Sequence, residues 1–157
     1  MRKPSNGRIR ELFKDFLSAH NLKEEDVLNA IKEKRQSEDV PLCVLKSKRL
    51  GILESVVKYY REIGFSYDKI ATMLNRNRGS IVCSYNAAVK KYSKRFAVED
   101  CPVLIPYSIF KDRKYGVLEA LSMYMKDMLK MNYSEIARAL DRNPRTIWTA
   151  YNRARKK

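Results

Sequence analysis

The sequence predicts an all-α protein made of two small helical units in tandem, preceded by an N-terminal helical pair. Two observations predict it: an internal duplication, and apolar residues that recur at helical spacing in both copies. The last residues read YSEIARALDRNPRTIWTAYNRARKK, and 66 residues earlier the chain reads YDKIATMLNRNRGSIVCSYNAAVKK. Further upstream, PLCVLKSKRLGILE (41–54) aligns with PYSIFKDRKYGVLE (106–119) at an offset of 65, with one inserted residue before Tyr133. Across 41–91, 18 of 51 positions are identical, including Pro41/Pro106, Gly51/Gly116, Glu54/Glu119, Tyr67/Tyr133, Leu74/Leu140, Ile81/Ile147 and Tyr85/Tyr151. Two copies of so long a period predict two similar domains, because a solenoid needs three or more repeats. The expected organisation is an N-terminal helical segment over 1–39, a first repeat over 40–91, a linker over 92–104 and a second repeat over 105–157.

The N-terminal segment traces one apolar stripe through Ile9, Leu12, Phe13, Phe16 and Leu17, and a second through Val27, Leu28 and Ile31 after a break at His20–Leu22. This pair must bury its apolar face on the first repeat or on a partner, self-association included. Glu24, Glu25 and Asp26 suit the first turn of a helix, where acids complement the dipole, better than a metal site. His20 has no catalytic partner in view. The polar stretch Gln36-Ser37-Glu38-Asp39 reads as the link to the first repeat.

In the second repeat, Val117, Leu118, Leu121, Tyr124, Met125, Met128 and Leu129 predict an amphipathic helix over about 114–130. A shorter helix follows over 134–140, with Ile136, Ala137 and Leu140 turned inward. Asn143-Pro144 then signals a helix start, an Asn cap followed by Pro at the first helical position, and a last helix over 144–155. The equivalents in the first repeat are 67–74, a turn at 75–77, and 78–91, where Gly79 weakens the first turn. A three-residue connection between a short helix and a longer one forces a steep crossing, which is a helix-turn-helix.

Charge follows the duplication. Residues 1–39 carry 9 Lys/Arg against 8 Asp/Glu, whereas 40–100 and 101–157 each carry 12 against 5. Most of the net charge of +15 therefore belongs to the repeats, so the expected partner is a polyanion held by folded domains. No run of 18 apolar residues and no apolar signal core is present, which predicts a soluble, cytoplasmic protein with no membrane partner. Cys43, Cys83 and Cys101 lack metal-ligand spacing and predict reduced thiols, with no metal and no cofactor. No nucleophile with a base and no carboxylate cluster is apparent, so an enzyme is not expected.

Advancing 100 degrees per residue along the last helix puts Ile147, Ala150, Tyr151 and Ala154 on one buried stripe. The opposite face receives Arg145, Thr149, Asn152 and Lys156, with Arg142 and Arg153 nearby and Trp148 on the flank. Such a face suits the major groove of double-stranded DNA, where Arg145 can read guanine and Asn152 adenine. In the first repeat the face holds Gly79, Cys83, Asn86 and Lys90, with Asn86 as its base-reading group. Expected phosphate contacts are Lys46, Lys48 and Arg49 before one first helix, Lys111, Arg113 and Lys114 before the other, and Arg76, Arg78, Lys90, Lys91, Arg142, Arg153, Lys156 and Lys157 on the helix-turn-helix pairs. Trp148 either packs beneath the neighbouring helix or faces DNA. The paired tyrosines read as packing, not as base-stacking platforms.

Residues 133–157, through Tyr133, Glu135, Ile136, Ala137, Leu140, Thr146, Ile147, Arg153, Ala154, Lys156 and Lys157, resemble the helix-turn-helix of bacterial sigma factor region 4 and related regulators. That resemblance implies DNA contacts at Arg145, Trp148 and Thr149. The usual turn glycine is replaced by Asp141-Arg142, and nothing resembles the sigma regions that melt promoters or bind the polymerase clamp. The expectation is thus a two-headed, sequence-specific DNA-binding protein associated with the nucleoid, a transcription regulator. Its further expected partners are a second copy through the N-terminal helices, and RNA polymerase or other transcription proteins. An architectural DNA-binding protein without sequence choice, and the DNA-binding part of a recombinase or transposase system, are the alternatives.

Overall fold

A computed structural model describes residues 6–27, 38–98 and 101–157. The chain divides into two compact units, Met1–Ser37 and Glu38–Lys157. Apart from one two-residue strand pair, its described elements are helical, as an all-α protein requires.

In the first unit, α1 spans Asn6–Ala19. It stops where Asn21 enters the left-handed region (φ 54°), which Asn tolerates better than most residues. Leu12 and Phe16 are 61% and 51% exposed, and the His20 ring lies 4.6 Å from that of Phe16. A helical turn begins at Glu24. Leu28, Ile31 and the Gln36-Ser37 part of the expected link lie outside the described residues.

The second unit opens with β1 (Val40–Pro41) and the short α2 (Leu42–Leu45). Then come α3 (Ile52–Glu62), α4 (Tyr67–Met73) and α5 (Arg78–Lys91). The second copy repeats this plan: β2 (Leu104–Ile105), a 3₁₀ turn over Tyr107–Phe110, α6 (Val117–Met123) continued by a π turn over Tyr124–Met128, α7 (Tyr133–Leu140) and α8 (Pro144–Arg155). In each copy the first helix packs on the last, and the two shorter helices close a three-helix cluster.

The expected helix over 114–130 starts three residues late and loses its regular α period at Tyr124. Its start is fixed by a cap, since the Gly116 N–H donates to Glu119 Oε2 (2.9 Å), as the Gly51 N–H does to Glu54 Oε2 (2.9 Å). The extra residue of the second copy falls between α6 and α7, where Lys130 (φ 57°) takes the left-handed conformation that Gly64 (φ 96°) takes in the first.

Both copies feed one hydrophobic cluster. Tyr60, Ile70, Leu74 and Ile81 of the first and Leu121, Met125, Ile136, Leu140 and Ile147 of the second are all buried within it. β1 and β2 join the copies edge to edge as an antiparallel pair with Val40 opposite Ile105. Within the expected linker over 92–104, the described residues on either side of 99–100 are bonded to the first copy. The Phe96 N–H donates to Glu62 Oε2 (3.0 Å), and the Leu42 N–H donates to the Val103 carbonyl (2.9 Å). The Cys43 N–H also donates to Cys101 Sγ (3.1 Å), so two thiols far apart in sequence meet at this seam. Partial desolvation, with Cys101 alongside, pushes the pKa of the Cys43 thiol upward, although the residue keeps an exposed surface.

Candidate nucleic-acid interface

The α7–α8 pair is built by local signals. Asn132 caps α7, with Oδ1 accepting from the Glu135 N–H (2.9 Å), while Glu135 Oε2 accepts from the Asn132 N–H (2.7 Å). Ile136, Ala137 and Leu140 face inward. Asp141 then reverses the chain in the left-handed region (φ 51°, ψ 50°), and the Arg142 N–H closes the turn on the Ala137 carbonyl (2.8 Å). Asp141 thus does without glycine what the turn requires, and Asn75 (φ 49°) does the same between α4 and α5. Asn143 Oδ1 accepts from the Arg145 N–H (2.8 Å) and Asn77 Oδ1 from the Gly79 N–H (2.7 Å), so both final helices begin under the same cap.

The helical stripes fall as the periodicity predicts. Ile147, Ala150 and Ala154 are buried, and Tyr151 is half-buried. Tyr133 and Tyr151 meet edge to face at 5.8 Å, as Tyr67 and Tyr85 do at 5.9 Å. A cation covers the first tyrosine of each pair, Arg61 at 4.2 Å from Tyr67 and Lys126 at 4.9 Å from Tyr133. These rings brace the helices and are not free platforms.

On the outer face of α8, Arg145, Arg153 and Lys156 are exposed, Thr149 and Asn152 are half-exposed, and Trp148 is 53% exposed. The alternative left open for Trp148 closes toward solvent. The Thr149 hydroxyl donates to the Arg145 carbonyl (2.8 Å), which fixes its rotamer and leaves its oxygen able to accept. On α5, Gly79, Cys83, Asn86 and Lys90 are exposed.

The expected phosphate contacts separate into two groups. Lys46, Arg49, Lys90, Lys111, Lys114, Arg153 and Lys156 are exposed. Of the others, Lys48, Arg78, Lys91, Arg113 and Lys157 are also exposed but carry a partner within the protein, Arg142 is half-buried and bonded, and Arg76 is half-buried. Lys91 Nζ pairs with Glu54 (2.7 Å) and Lys157 Nζ with Glu119 (2.6 Å), which ties the end of each final helix to the start of the helix it packs on. The Glu119 carboxyl is held below its ordinary range by Lys157 and the Gly116 N–H. For Glu54, burial works upward but Lys91 and the Gly51 N–H outweigh it. Arg78 pairs with Asp68 (3.0 Å) and Lys48 with Asp141 (3.5 Å). Arg113 Nη1 donates to the Asn75 carbonyl (3.2 Å), and Arg142 Nη2 donates to the Leu50 carbonyl. Arg76 is half-buried, and that burial, with Arg113 nearby, lowers its pKa.

Sequence reasoning missed the Glu54 and Glu119 anchors, although the recurrence of Gly-x-x-Glu in both copies was a signal for them. It also missed Lys58, for which the second copy offers no parallel because Met123 stands at that position. Among the described residues, no group of His, Cys, Asp or Glu could hold a metal ion, and no helix is long and apolar enough to cross a membrane. Compared with protein-family models, with curated proteins and with solved structures, the chain finds no match.

Proposed function

We propose that this protein binds double-stranded DNA through two helix-turn-helix heads and acts as a sequence-specific transcription regulator. One observation carries the reading: neither α5 nor α8 contains an acidic residue, and both end in basic turns. α8 adds the exposed indole of Trp148, the exposed Arg145 guanidinium and, two turns on along the same face, the half-exposed Asn152 amide, the last two being groups that read base edges. A charged helix face that merely kept the protein soluble would mix both signs, as most protein surfaces do. The likeness to sigma factor region 4 supports the same role for α8. α8 then reads sequence through Arg145, Trp148, Thr149 and Asn152, while α5, with Asn86, chiefly adds phosphate affinity.

Titrating the full chain into a labelled random-sequence duplex of about 30 base pairs, followed by fluorescence anisotropy, tests the reading. Binding should be tight at 50 mM salt and weaken by about a thousandfold at 200 mM, as expected for six or more phosphate contacts. Absence of duplex binding at 50 mM salt would overturn the proposal.

A further inference from the structure

The two copies are joined by a seam whose strand and first-helix contacts pair like with like, and α2 of the first copy also packs on α7 of the second. Val40 and Ile105, opposite each other in the antiparallel strand pair, occupy the same position of the repeat, 65 residues apart. Helix α3 packs on α6, its own counterpart. Lys48 of the first copy reaches Asp141 in the turn of the second (3.5 Å), while Arg113, the repeat equivalent of Lys48, reaches Asn75, the equivalent of Asp141, in the turn of the first (3.2 Å). Reciprocal contacts of this kind, in which i meets j and the copy of j meets the copy of i, are the signature of a two-fold axis. Copies stacked by translation would instead bring unlike positions together. The chain therefore folds as a covalent pseudo-dimer whose local axis runs between Val40 and Ile105 and between α3 and α6.

From this symmetry, and resting on the DNA-binding reading above, we infer that the target is an inverted repeat with two dissimilar half-sites on one duplex. Two heads related by a two-fold axis can engage one duplex through equivalent faces only if the two half-sites share that axis, which means opposite orientations. The half-sites differ because the faces differ. Asn86 matches Asn152 and Lys90 matches Lys156, but Gly79, Val82 and Cys83 stand where α8 has Arg145, Trp148 and Thr149. The docked seam fixes the relation between the heads, so both half-sites should be needed for full affinity.

Random-site selection with the full chain, spacing left free, tests this. The expected product is a pair of motifs in opposite orientation, and a synthetic duplex with one half-site reversed at the same spacing should bind at least about tenfold more weakly. The variant Gly79→Arg/Val82→Trp/Cys83→Thr gives α5 the face of α8, and its selected site should become a true palindrome. Arg145 donates its backbone N–H to the same kind of Asn cap, so Gly79→Arg should be accommodated once the Asn77 side chain, whose Oδ1 lies 3.0 Å from the added Cβ, gives way by a few tenths of an ångström. Motifs in the same orientation, or one motif only, would overturn the inference and leave DNA binding intact. Enrichment of no motif alongside normal duplex affinity would overturn both the inference and sequence choice, favouring an architectural role.

Discussion

Replacing Lys58 with Ala should destabilise the second unit by about 3–5 kcal/mol, measured by chemical denaturation. Lys58 is 2% exposed on α3. Its ammonium group pairs with Glu62 one turn on, donates to the Lys94 carbonyl (2.8 Å), and lies 4.7 Å from the Phe96 ring centre and 5.5 Å from that of Tyr92. Glu62 in turn accepts the Phe96 N–H, so one buried ion pair fastens the whole exit from α5 onto α3. Truncating Lys58 leaves a carboxylate that is largely buried and without its counter-ion, which costs more than the pair itself is worth. Lys58→Met combined with Glu62→Gln should recover most of the loss, because the amide oxygen can still accept from Phe96. A cost under about 1 kcal/mol for Lys58→Ala would mean that the pair is solvated.

The double replacement Arg145→Ala/Asn152→Ala should relax base preference while leaving the fold in place. A bidentate contact discriminates its base by about 1–3 kcal/mol, so losing two should lower the ratio of specific to random-sequence affinity by between about 30-fold and about 25,000-fold. Circular dichroism melting should barely change, since Arg145 is exposed and its backbone cap does not depend on its side chain. Lys156→Ala, by contrast, should weaken binding to all sequences alike and flatten the salt dependence by about one ion. Lys157 is the poorer probe of phosphate contact, because its ammonium group also holds Glu119. An unchanged specificity ratio in the double variant would remove α8 as the reading element.

What the sequence made legible was local. Asn143-Pro144 and Asn77 mark the starts of α8 and α5 within the capping turn, and the steps between Ile147, Ala150 and Ala154 assign the inward face without any knowledge of the neighbours. Contacts between distant positions left no such trace. Arg142 has the same side chain whether it meets a phosphate or the Leu50 carbonyl, 92 residues away, and only the meeting of the two copies decides between them. The stretch over 92–104 reads as a connector because its composition is mixed, and Phe96 gives no hint that its ring covers Lys58. The sequence leaves Trp148 open for a related reason. A large aromatic on the flank of a helix is buried or exposed according to what packs beside it, and nothing in the second unit covers it fully.

Trp148 also offers the most direct test of the claim that the outer face of α8 meets DNA, since it is the protein's only tryptophan and its indole lies on that face. Acrylamide quenching of its fluorescence should be efficient in the free protein and should fall at least about twofold on saturation with duplex DNA, as base edges and phosphates cover the ring. If anisotropy reports a saturated duplex while the indole remains as accessible as in the free protein, DNA binds elsewhere and the account of α8 is wrong.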